Sequence, residues 1–261
     1  MTTDSAGAYG GIGFGRGLDE RQPVIVLLDT SASMNRPAHA PPIADLNRAL
    51  AHGLDSIRAS DRLRSRVEVC LVAFDSRVRV FDAAAGTFRP PEEAADEALF
   101  SPLDGLRTPA LTAGGFTCLV PALRFALDVA RRRHRDLTAR RVPALRPLVW
   151  LITDGAPSDG AGVRLGAAEL SAVAEELRRA EHAEECALLV IGVKGADLET
   201  LELLAPRATH LLERLDFGRI LDLVFQSSDR AGRGTAAEVS EQLDEYAANA
   251  DALDNLEEEY R

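Results

Sequence analysis

Five consecutive apolar residues, Val24-Ile-Val-Leu-Leu28, run straight into Asp29-Thr-Ser-Ala-Ser33. An apolar run of that length, with no polar residue alternating through it, reads as a strand buried on both faces, and such strands belong to parallel sheets covered by helices. In open sheets of that kind, ligands settle beyond the carboxyl ends of the strands, where the strand order reverses. At this carboxyl end stand a carboxylate and two hydroxyls at alternating positions. Such oxygen donors suit a hard divalent cation, Mg2+ or Mn2+, far better than zinc. The stretch therefore predicts a metal site at the edge of a doubly wound sheet.

The elements downstream fit that frame. Ile43, Leu46, Leu50, Leu54 and Ile57 recur at three- and four-residue spacings and predict an amphipathic helix over 42–59, with Pro41 and Pro42 at its tolerant first turn. Val67–Phe74 and Val78–Phe81 predict two strands with Asp75, Ser76 and Arg77 between them. That link is too short for a parallel crossover, so the two form a hairpin and give the mostly parallel sheet an antiparallel edge strand. Residues 82–116, with Pro90, Pro91, Pro102 and Pro109, read as an irregular surface connection with a short helix near Glu92–Leu99. A helix over 120–138 follows. Its basic run, Arg131-Arg-Arg-His-Arg135, reads as a helix end that complements the macrodipole rather than as a nucleic-acid patch.

Leu148–Thr153 predicts a second buried strand, ending in Asp154-Gly155. A helix over 167–183, a strand over Ala187–Val193, a short helix near Asp197–Leu204, a strand at His210–Leu212 and a helix over Phe217–Gln226 complete an α/β domain spanning 22–228. Before it, residues 1–21 read as a flexible Gly-rich arm. Gly11–Gly17 mimics a phosphate loop only superficially, since a dinucleotide fingerprint follows a strand and opens a helix, and this one precedes the first strand. After it, residues 229–261 form an acidic tail in which Val239, Leu243, Tyr246, Ala250, Leu253 and Leu256 lie at near-helical spacing. That stripe reads equally as a solvated helix or as a docking helix.

Charge and cysteine usage narrow the function classes. A formal net charge of −11 argues against a nucleic-acid partner held by basic phosphate contacts. No apolar run approaches the roughly 18 residues of a membrane span, and the first residues carry no basic-then-apolar secretory pattern. Cys70, Cys118 and Cys186 share no metal-ligand or redox spacing. The expectation is a cytoplasmic protein without a membrane partner.

Asp29-Thr-Ser-Ala-Ser33 at one strand end, Thr117 ahead of a helix, and Thr153-Asp154-Gly155 after a later strand together resemble the von Willebrand factor A domain, over about 22–228. The resemblance implies that family's metal-ion-dependent adhesion site, with Asp29, Ser31, Ser33, Thr117 and Asp154 as its ligand set. It further implies that the serines and the threonine coordinate through hydroxyl oxygens and the aspartates largely through bound waters. The family's second loop often reads Gly-Gly-Thr or Gly-x-Thr followed by a Leu-Gly pair; here Phe116 precedes the threonine, and Val120 stands where a glycine is usual. Thr112 is the alternative to Thr117.

Within the family, Arg146–Asp159 and Phe217–Phe225 resemble compact bacterial proteins of the tellurite-resistance TerY type. That likeness implies a scaffold beside kinase- or phosphatase-like partners in a stress-response or defence complex. The function expected is a non-catalytic, Mg2+-dependent protein–protein interaction module whose ion takes an Asp or Glu of the partner. Two other readings stand beside it. In a metal-dependent phosphoesterase-like enzyme Asp29 would be a nucleophile, but such chemistry needs a second acid two positions on, where this chain has Ser31. In a structural assembly component, the ion would merely fix the loop.

Overall fold

The structure is a computed structural model and describes residues 20–95, 98–154, 157–193, 196–205 and 209–211. Most of the N-terminal arm, Gly155, the expected helix at Phe217–Gln226 and the acidic tail lie outside the described residues.

The strands are β1 (Gln22–Asp29), β2 (Val67–Phe74), β3 (Val78–Asp82), β4 (Thr87–Arg89), β5 (Ser101–Pro102), β6 (Leu148–Thr153), β7 (Ala187–Gly192) and β8 (Thr209–Leu211). They form one mixed sheet in the order β4-β3-β2-β1-β6-β7-β8, with β5 paired to β2. β1, β2, β6, β7 and β8 are mutually parallel. Every residue of β1, β2, β6 and β7 is buried, as expected of strands covered on both faces. The chain moves from β1 to β2 on one side, then returns to lay β6 on the other side of β1. The strand order therefore reverses at the β1–β6 pair, whose carboxyl ends carry Asp29 and Asp154.

The helices are α1 (Pro42–Ala59), α2 (Asp61–Arg66), α3 (Leu119–Ala139), α4 (Ala167–His182) and α5 (Leu198–Leu204). Right-handed crossovers put α1 on one face of the sheet and α3 and α4 on the other, and α3 packs on β1, β2 and β6 and against α4. The α1 stripe buries Ile43, Leu46, Leu50, Leu54 and Ile57. Each such side chain contributes roughly 2 kcal/mol of transfer free energy.

The antiparallel edge is wider than the hairpin alone. β3 pairs with both β2 and β4, and β4 is held by Phe88 against Phe81, ring centroids 5.2 Å apart. Around the expected short helix at Glu92–Leu99, a 3-10 turn spans Pro91–Glu93.

The basic run needs a correction. α3 continues to Ala139, so Arg131–Arg135 lie a turn short of its end. Three of the run's four arginines are engaged with acids: Arg131 with Glu185 at 2.6 Å, Arg132 with Asp128 at 3.0 Å, and Arg133 with Asp136 at 3.0 Å, while Arg135 donates to the Arg131 carbonyl at 3.3 Å. Arg133 also makes a bidentate pair with the buried Glu68 of β2 and lies 5.3 Å from the centroid of the Phe100 ring.

Candidate metal centre

The β1–β6 register sets the first contacts. Leu28 pairs with Ile152, so Asp29 and Thr153 stand level on neighbouring strands. The Thr153 hydroxyl donates to Asp29 Oδ2, and the Ser31 amide donates to Asp29 Oδ1 at 2.8 Å. Beyond β1 the chain turns through a 3-10 segment, Ala32–Asn35, which brings Ser33 back over Ser31. Their hydroxyl oxygens are 2.9 Å apart, and Ser33 Oγ donates to Asp154 Oδ1 at 2.8 Å. Four of the five residues expected from the sequence are thus joined in one hydrogen-bonded cluster.

Thr117 arrives on the same edge by another route. The Gly114 amide donates to the Thr30 carbonyl at 2.7 Å, and the Ala32 amide to the Gly115 carbonyl at 3.0 Å, which ties the second loop to the first. Gly115 has φ +77°, and a Cβ there would meet Ser76 Oγ at 2.7 Å; only glycine fits that close, left-handed turn without strain. Ser76 Oγ accepts from the Phe116 amide at 2.9 Å, and the Cys118 amide donates to the Asp75 carbonyl at 2.9 Å. Ser158 then holds Thr117 from the third loop: its Oγ accepts from the Thr117 amide at 3.1 Å, and its own amide donates to the Thr117 carbonyl at 2.9 Å. Thr117 is buried, its hydroxyl makes no hydrogen bond to a described residue, and the alternative Thr112 is exposed.

Three contributors escaped the sequence reading. Thr153 and Ser158 lie within quoted motifs but have no role in the donor pattern, and Ser76 acts only through its fit to Gly115. The Gly114-Gly115 pair was the available signal for a close backbone approach.

The electrostatics are set by burial of two acids. Asp29 is fully buried, and burial pushes its carboxyl up to about 6, against the opposing hydrogen bonds of Thr153 and Ser31. The negative charge of Asp154 adds to the rise. Asp154 is likewise raised by burial, with the Ser33 hydroxyl pulling the other way. Among the described residues no cationic side chain pairs with either carboxylate. No cluster of three or more His, Cys, Asp or Glu side chains that could hold a metal exists among the described residues. The donor set is therefore two carboxylates and neutral hydroxyls, which fits a hard, partly hydrated divalent cation and does not fit zinc or copper.

A model of the von Willebrand factor type A domain matches residues 24–226. The chain belongs to that family. Type A domains typically mediate protein–protein interaction and adhesion and are typically non-catalytic. No curated protein matches the sequence.

Among solved structures, the type A chain is similar to the pilus adhesin SpaC from Lactobacillus rhamnosus GG, with a TM-score of 0.52 and 16% identity over 82% of this chain and 31% of that one. A von Willebrand factor type A protein from Catenulispora acidiphila gives 0.50 and 16%, over 80% and 43%. The D319A mutant of the PilB minor pilin from Streptococcus sanguinis gives 0.50 and 14%, over 80% and 62%. At such identities the likeness is one of fold, and the chain spans less than two thirds of each of these three proteins. No helix among the described residues is long and apolar enough to cross a membrane.

Proposed function

We propose that Asp29, Ser31, Ser33, Thr117 and Asp154 form a divalent-cation site of the metal-ion-dependent adhesion type, and that the protein uses it to dock an Asp or Glu of a protein partner. The observation that carries this reading is the pair of buried carboxylates, bridged through Ser33 on one side and held by Thr153 and Ser31 on the other, with no cation paired to them among the described residues. Bound there, Mg2+ or Mn2+ would supply positive charge and an exchangeable position for an incoming carboxylate. The chain's own residues do the rest. Ser31, Ser33 and Thr117 offer hydroxyl oxygens, Asp29 and Asp154 provide the negative charge, and Thr153, Ser158 and Gly115 fix the three loops. Ser31 stands where a phosphoaspartyl enzyme would need its second acid. Docking without turnover is the better reading. The TerY-type likeness extends it to a bacterial scaffold for kinase- or phosphatase-like partners in a stress-response or defence complex, acting in the cytoplasm.

Calorimetry with Mn2+ on the full chain tests the site, and capture of partner protein with Mg2+ or with EDTA tests its use. Asp29→Ala should lower Mn2+ affinity at least about 100-fold and abolish Mg2+-dependent capture. Partner capture that survives both EDTA and Asp29→Ala would overturn docking through the ion. Phosphomonoester turnover lost in the same variant would favour the enzyme.

A further inference from the structure

The rim of the site has features that holding an ion does not require. Among the described residues four large apolar side chains are exposed, and two of them, Phe116 (44%) and Val163 (63%), lie together beside the ligand cluster. Phe116 directly precedes Thr117, and its ring lies over Gly162, where a Cβ would come within 2.5 Å of a ring carbon. Asp159 Oδ1 accepts from the amides of Ala161 and Val163 at 2.9 and 2.8 Å, which fixes the loop that presents Val163 to solvent. Arg36 and Arg77 flank the same cluster. The Arg36 amide donates to the Ser33 carbonyl at 2.8 Å, and Arg77 follows the Ser76 that anchors Phe116. Both are exposed, and neither guanidinium has a partner among the described residues. Elsewhere most described arginines are ion-paired, as along α3.

One segment of this chain has the complementary chemistry. Residues 236–261 carry nine carboxylates against one arginine, interleaved with Val239, Leu243, Tyr246, Leu253 and Leu256. The last described strand, β8, also ends on the sheet edge that carries the site. Leu211 pairs with Gly192, Gly192 with Thr153, and Thr153 stands level with Asp29. That single row crosses adjacent strands at about 4.8 Å each, so Leu211 lies roughly 14 Å from Asp29. The chain between Leu211 and residue 236 is ample for that span.

We propose that the acidic segment 236–261 docks in cis on this rim, one of its carboxylates reaching the bound cation and its apolar side chains covering Phe116 and Val163. The segment is then a built-in competitor of the partner. The proposal rests on the reading of the cluster as a carboxylate-seeking metal site.

Amide NMR of the labelled full chain with substoichiometric Mn2+ separates the two claims. Paramagnetic broadening is expected in the Asp29–Ser33 and Thr117 loops and in a subset of residues 236–261, unchanged on dilution. In the Phe116→Ser, Arg77→Ser double variant the loops should still broaden while 236–261 stay sharp. A synthetic peptide of residues 236–261 should bind about tenfold more tightly to a full chain in which all nine acids of the segment are neutralised (Glu238→Gln, Glu241→Gln, Asp244→Asn, Glu245→Gln, Asp251→Asn, Asp254→Asn, Glu257→Gln, Glu258→Gln and Glu259→Gln), because the tethered competitor is gone. Broadened loops with a sharp acidic segment in the unmodified chain overturn the proposal and leave the metal reading intact. Loops that never broaden overturn the metal reading itself. Segment broadening that fades on dilution, or a Mg2+-dependent dimer, assigns the segment to a second copy and overturns docking in cis.

Discussion

The two ends of the sheet each bury an acid, and they treat it in opposite ways. At the amino end, Glu68 near the start of β2 meets the Arg133 guanidinium in a bidentate pair, backed by Asp136 and the Phe100 ring. The hydrogen bonds that Arg133 donates to Glu68, first among several causes, raise the Arg133 pKa further. At the carboxyl end, Asp29 is at least as deeply buried, yet among the described residues it is met by hydroxyls and an amide and by no cation, and its carboxyl rises to about 6. The first acid is neutralised by the chain itself. The second is left with its charge unanswered within the described residues, and its neighbours supply hydroxyl lone pairs in place of a guanidinium. Burial alone does not mark a functional acid; burial without a counter-charge does.

Removing each acid in turn should give effects of opposite sign. Glu68→Ala strips the part-buried Arg133 of its bidentate partner and leaves it only Asp136, and should cost about 3 kcal/mol in urea denaturation while leaving Mn2+ affinity unchanged. Asp29→Asn removes an uncompensated buried charge, and in metal-free protein at pH 7 should stabilise by about 2 kcal/mol. A destabilisation as large as that of Glu68→Ala would erase the contrast.

The pH dependence follows from the same shift. The folded pKa of Asp29, about 6, lies above its ordinary 3.8. The folded state therefore binds the proton more tightly. Metal-free stability at this residue is full below about 4 and falls as pH rises to about 6, and Asp29→Asn should flatten that slope. Protons and cation compete for the same carboxylate, so Mn2+ affinity should drop about tenfold between pH 7 and pH 5. The smallest effect is expected at Gly115→Ala. The left-handed backbone and the approach to Ser76 should cost about 1 kcal/mol in thermal or urea melts, together with a several-fold loss of Mn2+ affinity, because Thr117 moves with the loop.

The two ends also differ in how far they could be read from sequence. The carboxyl edge was legible because its donors sit at strand ends in a fixed spacing, and because five apolar residues in a row announce a buried strand. The Glu68–Arg133 pair was not. Nothing in Val67–Phe74 distinguishes Glu68 from a solvated residue, and an arginine run on a helix reads as exposed until its partners from β2 and the α4–β7 connection are in place. α2 escaped because six polar-rich residues carry no apolar stripe; its mark was the Ser60 hydroxyl, which accepts from the Leu63 amide at 3.4 Å. β4 and β5, three and two residues long, are held by pairing and by Phe88 rather than by any pattern of their own. The second loop was legible in part. Thr117 followed from its place before α3, whereas the supports from Ser76 and Ser158 come from contacts between loops far apart in the chain.

The backbone of that loop carries a consequence for how such a protein can change. Gly114, Gly115, Phe116 and Cys118 are each held through main-chain atoms, by Thr30, Ala32, Ser76 and Asp75. The side chain at position 116 has no part in those bonds. It can be exchanged without moving Thr117, so a lineage could vary this exposed residue while the frame beside it stays fixed. Phe116 has the character of a coding position: an address written beside a fixed lock.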